Sequence, residues 1–308
     1  MRGFINISNK TGINSVKKPS NWWINLIFVM ASICCIAPFV MVVVISFSSE
    51  KSVIRNGYAF IPEEWSLSAY RYLLAKPDNI VRAYGVTIFT MVVGTIVSLI
   101  FGSMVAYVIS RKDYPYKKIL TFYMYFTMLF SGGLTPSYVM YVNTFHIKNT
   151  IWALLIPNML LSAWNIILMR TYFSANIPES LVESAYMDGA GEMTIYSRIV
   201  LPLAKPILSS IGFMTALGYW NSWFNCSVYV TNNKLYSLNY LMTKALMDIQ
   251  QLKALTEIPA EMKAMLGQMP SETVRMAMAV VGAGPMILAF PFFQKYFVKG
   301  LVVGSVKG

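Results

Sequence analysis

Glu183, Asp188 and Glu192 are the reactive groups of a stretch, ESAYMDGAGEMTIYSRIVLPLAKP (residues 183–206), set between two long apolar runs. In its middle only Arg198 opposes these carboxylates. Acidic side chains in such a place recognise cations. Helices that lie on a bilayer carry lysine and arginine on their polar face, and anionic headgroups would repel this segment. The chemistry on offer is the docking of a soluble protein partner.

A second set of groups pairs amides with aromatic rings. IPNMLLSAWN supplies Asn158, Trp164 and Asn165, and GYWNSWFN supplies Tyr219, Trp220, Asn221, Trp223, Phe224 and Asn225. An amide within an apolar segment must find a hydrogen-bond partner. Two readings stand. Flat rings and amides suit a sugar pathway, because sugars present apolar faces and a rim of hydroxyls. The same residues also serve as an interfacial belt with interhelical hydrogen bonds.

Catalysis has little to work with. The chain contains no G-x-x-x-x-G-K-[ST] phosphate loop, no H-E-x-x-H and no G-x-S-x-G. Its one histidine is His146, and Cys34, Cys35 and Cys226 lie in apolar runs without metal-ligand spacing. No catalytic residue and no metal site is assigned; the cysteines read as small apolar fillers. If ATP drives this protein, another polypeptide binds it.

The elements that position these groups are membrane helices. Hydrophobic residues make up 56% of the 308 positions and charged residues 12%, about half the charge of a soluble domain. Net charge is +12, but the basic residues fall in short clusters between apolar runs, which marks topology and excludes a nucleic-acid surface. Six runs free of charge are long enough to span: 23–47, 83–110, 119–142, 150–169, 206–231 and 276–293. The first is too long for a signal-peptide core and reads as a retained anchor. Backbone groups in lipid must be satisfied internally, so the runs are expected to be helices. The side bearing both termini, the loop after the second run (Arg111, Lys112, Lys117, Lys118) and the segment after the fourth holds the larger share of lysine and arginine in shorter loops. Both termini are therefore expected in the cytoplasm, and so is the acidic segment.

No ionisable residue falls inside a run, which disfavours a carrier driven by protons or sodium. In the second run Thr90, Gly94, Ser98, Gly102 and Ala106 form a stripe of small residues at every fourth position, suited to close helix packing. SGGLTPS at 131–137 breaks the third run and serves either packing relief or a gating hinge. The long outer loops, 48–82 and 232–275, include a helix-like run near 238–255. They either cap the mouth of a pathway or are solvated loop helices.

Within the acidic segment, Val182, Ala185, Tyr186 and Ala190 recur at helical spacing after Pro178. Gly189-Ala190-Gly191 breaks that helix. A second helix is expected from Glu192, with Met193, Tyr196, Ile199 and Val200 on its apolar side. Pro202 and Pro206 should end it and start the next run.

Here the residues resemble a family. E-A-A-x3-G-x9-I-x-L-P marks the permease subunits of ATP-binding-cassette importers, and this chain has Glu183, Ser184, Ala185, Gly189, Ile199, Leu201 and Pro202 at those positions. Ser184 replaces the second alanine. FSGGLTPSYVMY, NTIWALLIPN, DGAG, LPLAKPIL, YWNSWF and PFFQKYFVKGLVVGSVKG resemble the carbohydrate-importer branch, in particular the second permease of its complex-polysaccharide subgroup.

The resemblance implies an all-α integral membrane protein with six transmembrane helices, the type I importer permease fold of the maltose-type transporters. It implies a cytoplasmic arm at 1–22, a permease domain at 23–297 with its coupling loop at 178–204, and a cytoplasmic tail at 298–308. It implies a bacterial cytoplasmic-membrane subunit that is not an enzyme. Its partners would be a second permease in a heterodimer, two ATPase subunits carrying ATP and magnesium, an extracytoplasmic solute-binding protein and a sugar; the chain itself would hold no cofactor. By the same likeness, Glu183 pairs with the ATPase, Gly189 permits the turn, Ala185 and Ala190 allow close approach, and Asp188 caps or pairs locally. The tail reaches either the ATPase interface or the membrane surface. A non-sugar importer permease, a stand-alone carrier or channel and a membrane enzyme are the alternatives.

Overall fold

A computed structural model describes residues 22–75, 77–157, 160–254 and 272–302. The described residues are helices and their connections, with one isolated antiparallel bridge between Ser48 and Trp65. In chain order the helices are α1 (Trp22–Ser46), α2 (Glu50–Asn56), α3 (Ser68–Leu73), α4 (Pro77–Ser110), α5 (Lys117–Leu129), α6 (Leu134–Val139), α7 (Trp152–Leu155) and α8 (Ala163–Asn176). There follow α9 (Glu179–Met187), α10 (Glu192–Ile195), α11 (Leu201–Leu203), α12 (Lys205–Trp220), α13 (Phe224–Tyr229), α14 (Leu238–Ala254) and α15 (Glu272–Val302).

The longest helix, α4, is the axis of the bundle. Its small-residue stripe is buried: Thr90, Gly94, Ser98, Gly102 and Ala106 face α12 and α8. Small side chains let the helix backbones approach. The Tyr219 ring lies so close against Gly94 that a Cβ there would overlap it. At Gly102 a Cβ would stand 3.0 Å from the Met169 side chain. Thr90 returns its hydroxyl to the Val86 carbonyl at 2.9 Å, within the same helix.

α1 and α4 are each long and apolar enough to cross a membrane, and residues 192–203 with α12 make a further span if that pair, bent by 80°, counts as one. Six was the count of apolar runs, and several runs are broken helices. The run at 119–142 breaks where Phe130 turns extended and Gly133 takes a φ of +85°, between α5 and α6. The expected break at SGGLTPS is present, and Gly133 is its cause. Run 150–169 is divided between α7 and α8, with the Ser162 hydroxyl accepting from the Asn165 N–H at the new helix start. Run 206–231 breaks at Asn221–Trp223. α15 covers run 276–293 in one piece, with Pro285 and Pro291 inside, and it continues to Val302, into the stretch expected as the tail. The arm at 1–22 lies outside the described residues except for Trp22, as does the end of the tail.

The outer loops carry the short helices α2 and α3 and the expected helix near 238–255, observed as α14. Glu50 ties them to the bundle. Its carboxylate accepts from the N–H groups of Glu272 (3.0 Å) and Thr273 (2.9 Å) and from the Thr273 hydroxyl (2.6 Å), at the start of α15. One apolar cluster, including Ala69, Ala83, Trp220 and Leu238, joins these loops to α4 and α12. A second, including Ala106, Phe173, Val182, Ile195 and Val200, holds the acidic segment against α4 and α8. Cys226 is fully buried among apolar neighbours, as a filler would be.

Candidate functional site: an acidic helix–turn–helix at the end of α4

α9 starts after Pro178, whose extended backbone precedes the helix, with Glu179 in the favourable first turn. Val182 points inward and is 6% exposed, while Glu183, Ser184, Met187 and Asp188 face outward. The helix ends in a Schellman motif. Gly189 has φ +79°; its N–H donates to the Tyr186 carbonyl, and the Ala190 N–H donates to the Ala185 carbonyl, both at 2.9 Å. Ala185 and Ala190 are the two half-buried residues that meet across this turn. No atom lies within 4 Å of a Cβ added at Gly189, so backbone conformation, not space, demands glycine there.

Gly191 caps α10, and Thr194 and Ile195 donate to its carbonyl. A π-turn over Tyr196–Val200 follows, in which the Leu201 N–H reaches back to the Tyr196 carbonyl. The expected helix–turn–helix is therefore present, with two differences. The second helix does not end at Pro202 but runs through α11 to Ala204, because the π-turn over Tyr196–Val200 already interrupts the i→i−4 ladder just before the residue that offers no N–H. Met193, expected on the apolar side, is 62% exposed, and Ile195 takes the buried position. Ile199 and Leu201 are half-buried and Pro202 is exposed.

The three acids divide. Among the described residues, the carboxylates of Glu183 and Asp188 have no hydrogen bond or ion pair. Glu192 accepts from the hydroxyls of Tyr107 on α4 (2.7 Å) and Tyr186 on α9. Met187 is 88% exposed beside Glu183, so the outward face combines two acids with two flexible methionines, Met187 and Met193. The methionines carry no spacing signal that sequence reading could have used.

A cleft of about 1540 Å³ separates this face from the 110–117 loop and α8. Arg111, Lys112, Lys117 and Arg170 line it opposite Glu179 and Glu183. Lys112 pairs with Glu179 at 2.5 Å, which raises the lysine above its ordinary value. Arg111 binds both carboxylate oxygens of Asp113 (2.9 and 2.7 Å), which holds that acid below the usual carboxylate range. Arg111 also lies over the Tyr186 ring, 5.2 Å from its centre. Basic residues that read as topology signals thus organise the acidic segment as well.

The aromatic and amide residues lie elsewhere. Tyr219 is buried and donates to the Leu155 carbonyl at 2.8 Å. Trp220 is buried and donates to the Gly282 carbonyl at 2.8 Å. The Asn165 amide reaches the Thr215 hydroxyl at 3.3 Å, across α8 and α12. Asn221 is exposed and accepts from the Asn239 amide at 3.4 Å. Trp164 is 57% exposed, and Asn158 lies outside the described residues. Tyr219, Trp220 and Asn221 sit in succession at the end of α12.

Comparison with known proteins places the chain in a family. A family model described as "binding-protein-dependent transport system inner membrane component" matches residues 98–303. The chain is 34% identical to the polygalacturonan/rhamnogalacturonan transport system permease protein YtcP of Bacillus subtilis (strain 168), over 91% of this chain and 95% of that one. It is 33% identical to Protein LplC of the same organism, over 89% and 90%. Among solved structures it resembles a bacterial ABC transporter involved in the import of the acidic polysaccharide alginate, with TM-score 0.74 and 30% identity over 90% of this chain and 96% of that one.

Proposed function

Because this chain belongs to the family of binding-protein-dependent inner-membrane transport components, we propose that it is a permease subunit that imports oligosaccharides or polysaccharide fragments and couples their passage to ATP through residues 178–204. It is a transport component, not an enzyme, and permeases of its family work with a partner permease, an ATPase and a solute-binding protein. In finer detail, the partner permease is a different chain, two ATPase subunits hold ATP and magnesium, and both termini face the cytoplasm.

One observation carries the reading: a Schellman-closed turn presents Glu183, Ser184 and Asp188 outward at one end of the bundle, and among the described residues the Glu183 and Asp188 carboxylates have no hydrogen bond or ion pair. Basic or polar groups of an ATPase cleft would supply the missing partners. Gly189 sets the turn; Ala185 and Ala190 keep it narrow; Ile199, Leu201 and Pro202 join it to the bundle. ATP shifts the inward–outward balance by binding one state of the ATPase pair more tightly, and the coupling segment carries that difference. The sugar class follows the relatives, whose names include polygalacturonan, rhamnogalacturonan and alginate. Asn158, Trp164, Asn165, Tyr219, Trp220 and Asn221 stand as the substrate-pathway residues.

The test is purification and reconstitution. The complete complex should take up oligogalacturonides or oligoalginates with ATP, and a Glu183→Lys chain should lose ATPase subunits during purification. Uptake by the isolated chain without ATPase subunits would sink the reading.

A further inference from the structure

The last two turns of α4 and the residue after them carry Ser103, Tyr107 and Arg111, spaced by four and therefore on one helix face. Each contacts the acidic segment. The Ser103 and Tyr196 hydroxyls are 2.7 Å apart in a buried bond. Tyr107 donates to Glu192 at 2.7 Å, and its ring centre lies 5.6 Å from that of Tyr196. Arg111 donates to the Tyr186 hydroxyl at 3.4 Å, and that hydroxyl in turn donates to Glu192.

We propose that this ladder is the joint through which the coupling segment moves α4, and that Ser103, Tyr107, Glu192 and Tyr196 are its positioning residues. The proposal rests on the docking role given to residues 178–204. Three routes lead from that segment into the bundle. Two are covalent: one enters α8 through the extended Ile177–Pro178 link, and the other enters α12 through an 80° bend at the Ala204 break, so neither continues the axis of the short helices. The ladder instead grips a helix of 34 residues, about 50 Å at 1.5 Å per residue, without internal break. Near the other end of α4, Tyr84 donates to the Val281 carbonyl at 2.8 Å and Thr87 accepts from the Leu238 N–H at 2.9 Å. Displacing the acidic segment therefore tilts a rod whose far end is bonded to α15 and α14.

The test uses the assembled transporter with ATP, magnesium and vanadate as probes, so no transported sugar need be known. Val81, 70% exposed near the far end of α4, is replaced by cysteine in a chain with Cys34→Ser and Cys35→Ser, as a reporter for an impermeant maleimide. Vanadate trapping should change the reporter's labelling rate by about threefold or more. In Tyr107→Phe with Tyr196→Phe, which keeps both rings, that change should vanish while trapped nucleotide stays within about twofold. Glu192→Ala should behave likewise, and Glu192→Gln, whose amide oxygen accepts from one phenol while its NH2 donates to the other, should restore the change. An undiminished labelling change in the double variant overturns the ladder; so does an unresponsive reporter in the parent, or loss of trapping together with the response. If Gly189→Val leaves trapping and the reporter's response untouched, the docking role itself fails. If Gly189→Val disables the complex while the tyrosine pair changes nothing, only the ladder fails.

Discussion

The Ala190 N–H donates to the Ala185 carbonyl at 2.9 Å across Gly189, and with the bond from the Gly189 N–H to the Tyr186 carbonyl it closes the first helix of the acidic segment. It explains three positions of the motif together. Gly189 holds φ +79°, and the residues on either side of the turn are small because they meet there. The serine at 184 points outward, so its replacement of alanine leaves the turn intact.

A graded series at Gly189 follows from this geometry. With open space around the Cβ position, only backbone strain penalises a substitution. A left-handed conformation costs an ordinary residue about 1–2 kcal/mol, asparagine less and a β-branched residue more. Transport by the reconstituted complex should fall in the order Gly189→Asn, Gly189→Ala, Gly189→Val, while membrane insertion persists. Equal activity for the asparagine and valine variants would contradict the turn's role.

The residues proposed for the substrate pathway separate by burial. Trp220 is 3% exposed and bonded to Gly282, so Trp220→Ala should cost about 3–5 kcal/mol and lower the melting temperature of the purified complex. Asn221 is exposed, so Asn221→Ala should leave stability near the parent's and change substrate-stimulated ATPase activity. Unaltered stimulation in Asn221→Ala removes that residue from the pathway.

Two ion pairs set a flat pH response at the 110–117 loop. Lys112 is raised above its ordinary 10.5 by its bond to Glu179, so its contribution is complete below about 10.5 and disappears as pH rises through the folded value. Asp113 is lowered from its ordinary 3.8 by Arg111, so its contribution is complete above about 3.8 and disappears as pH falls through the folded value. Between these limits neither group changes charge. The uptake of Glu179→Gln relative to the parent should stay level from about pH 5 to pH 9 and respond to salt, as an exposed pair does. A swing of that ratio within the window would place the controlling group elsewhere.

Glu50 offers the clearest structural test. Its carboxylate receives two backbone donors and one hydroxyl at the start of α15, with the residue 7% exposed. Glu50→Ala should cost about 1–3 kcal/mol and speed amide exchange at Glu272 and Thr273, and Glu50→Gln should recover part of the loss. Unchanged exchange at both amides in the alanine variant would show that the cap is dispensable.

Much was legible in the sequence because it was local or periodic. The stripe from Thr90 to Ala106 announced a packing face through its four-residue spacing, and the bundle buries it. Gly189-Ala190-Gly191 announced a turn because few residues tolerate its backbone. Other features were not local. Glu192 read as one more exposed acid, but its phenol partner Tyr107 stands 85 positions away. The break of the third run at SGGLTPS was legible because Gly133 carries it, but the divisions of runs 150–169 and 206–231 were not. Hydropathy measures solvent preference and does not register where a backbone turns.

The sequence by itself determined that the chain is a helical membrane protein and that its acidic segment turns at Gly189. These depend on composition and local backbone preference, which act over a few residues at a time. Only the tertiary structure decided which acids remain uncommitted, that Tyr219 and Trp220 fasten helices, and that Ser103, Tyr107 and Arg111 grip residues 186–196. Those facts depend on pairings between helices distant in the chain, set by which faces pack, and no local pattern encodes them.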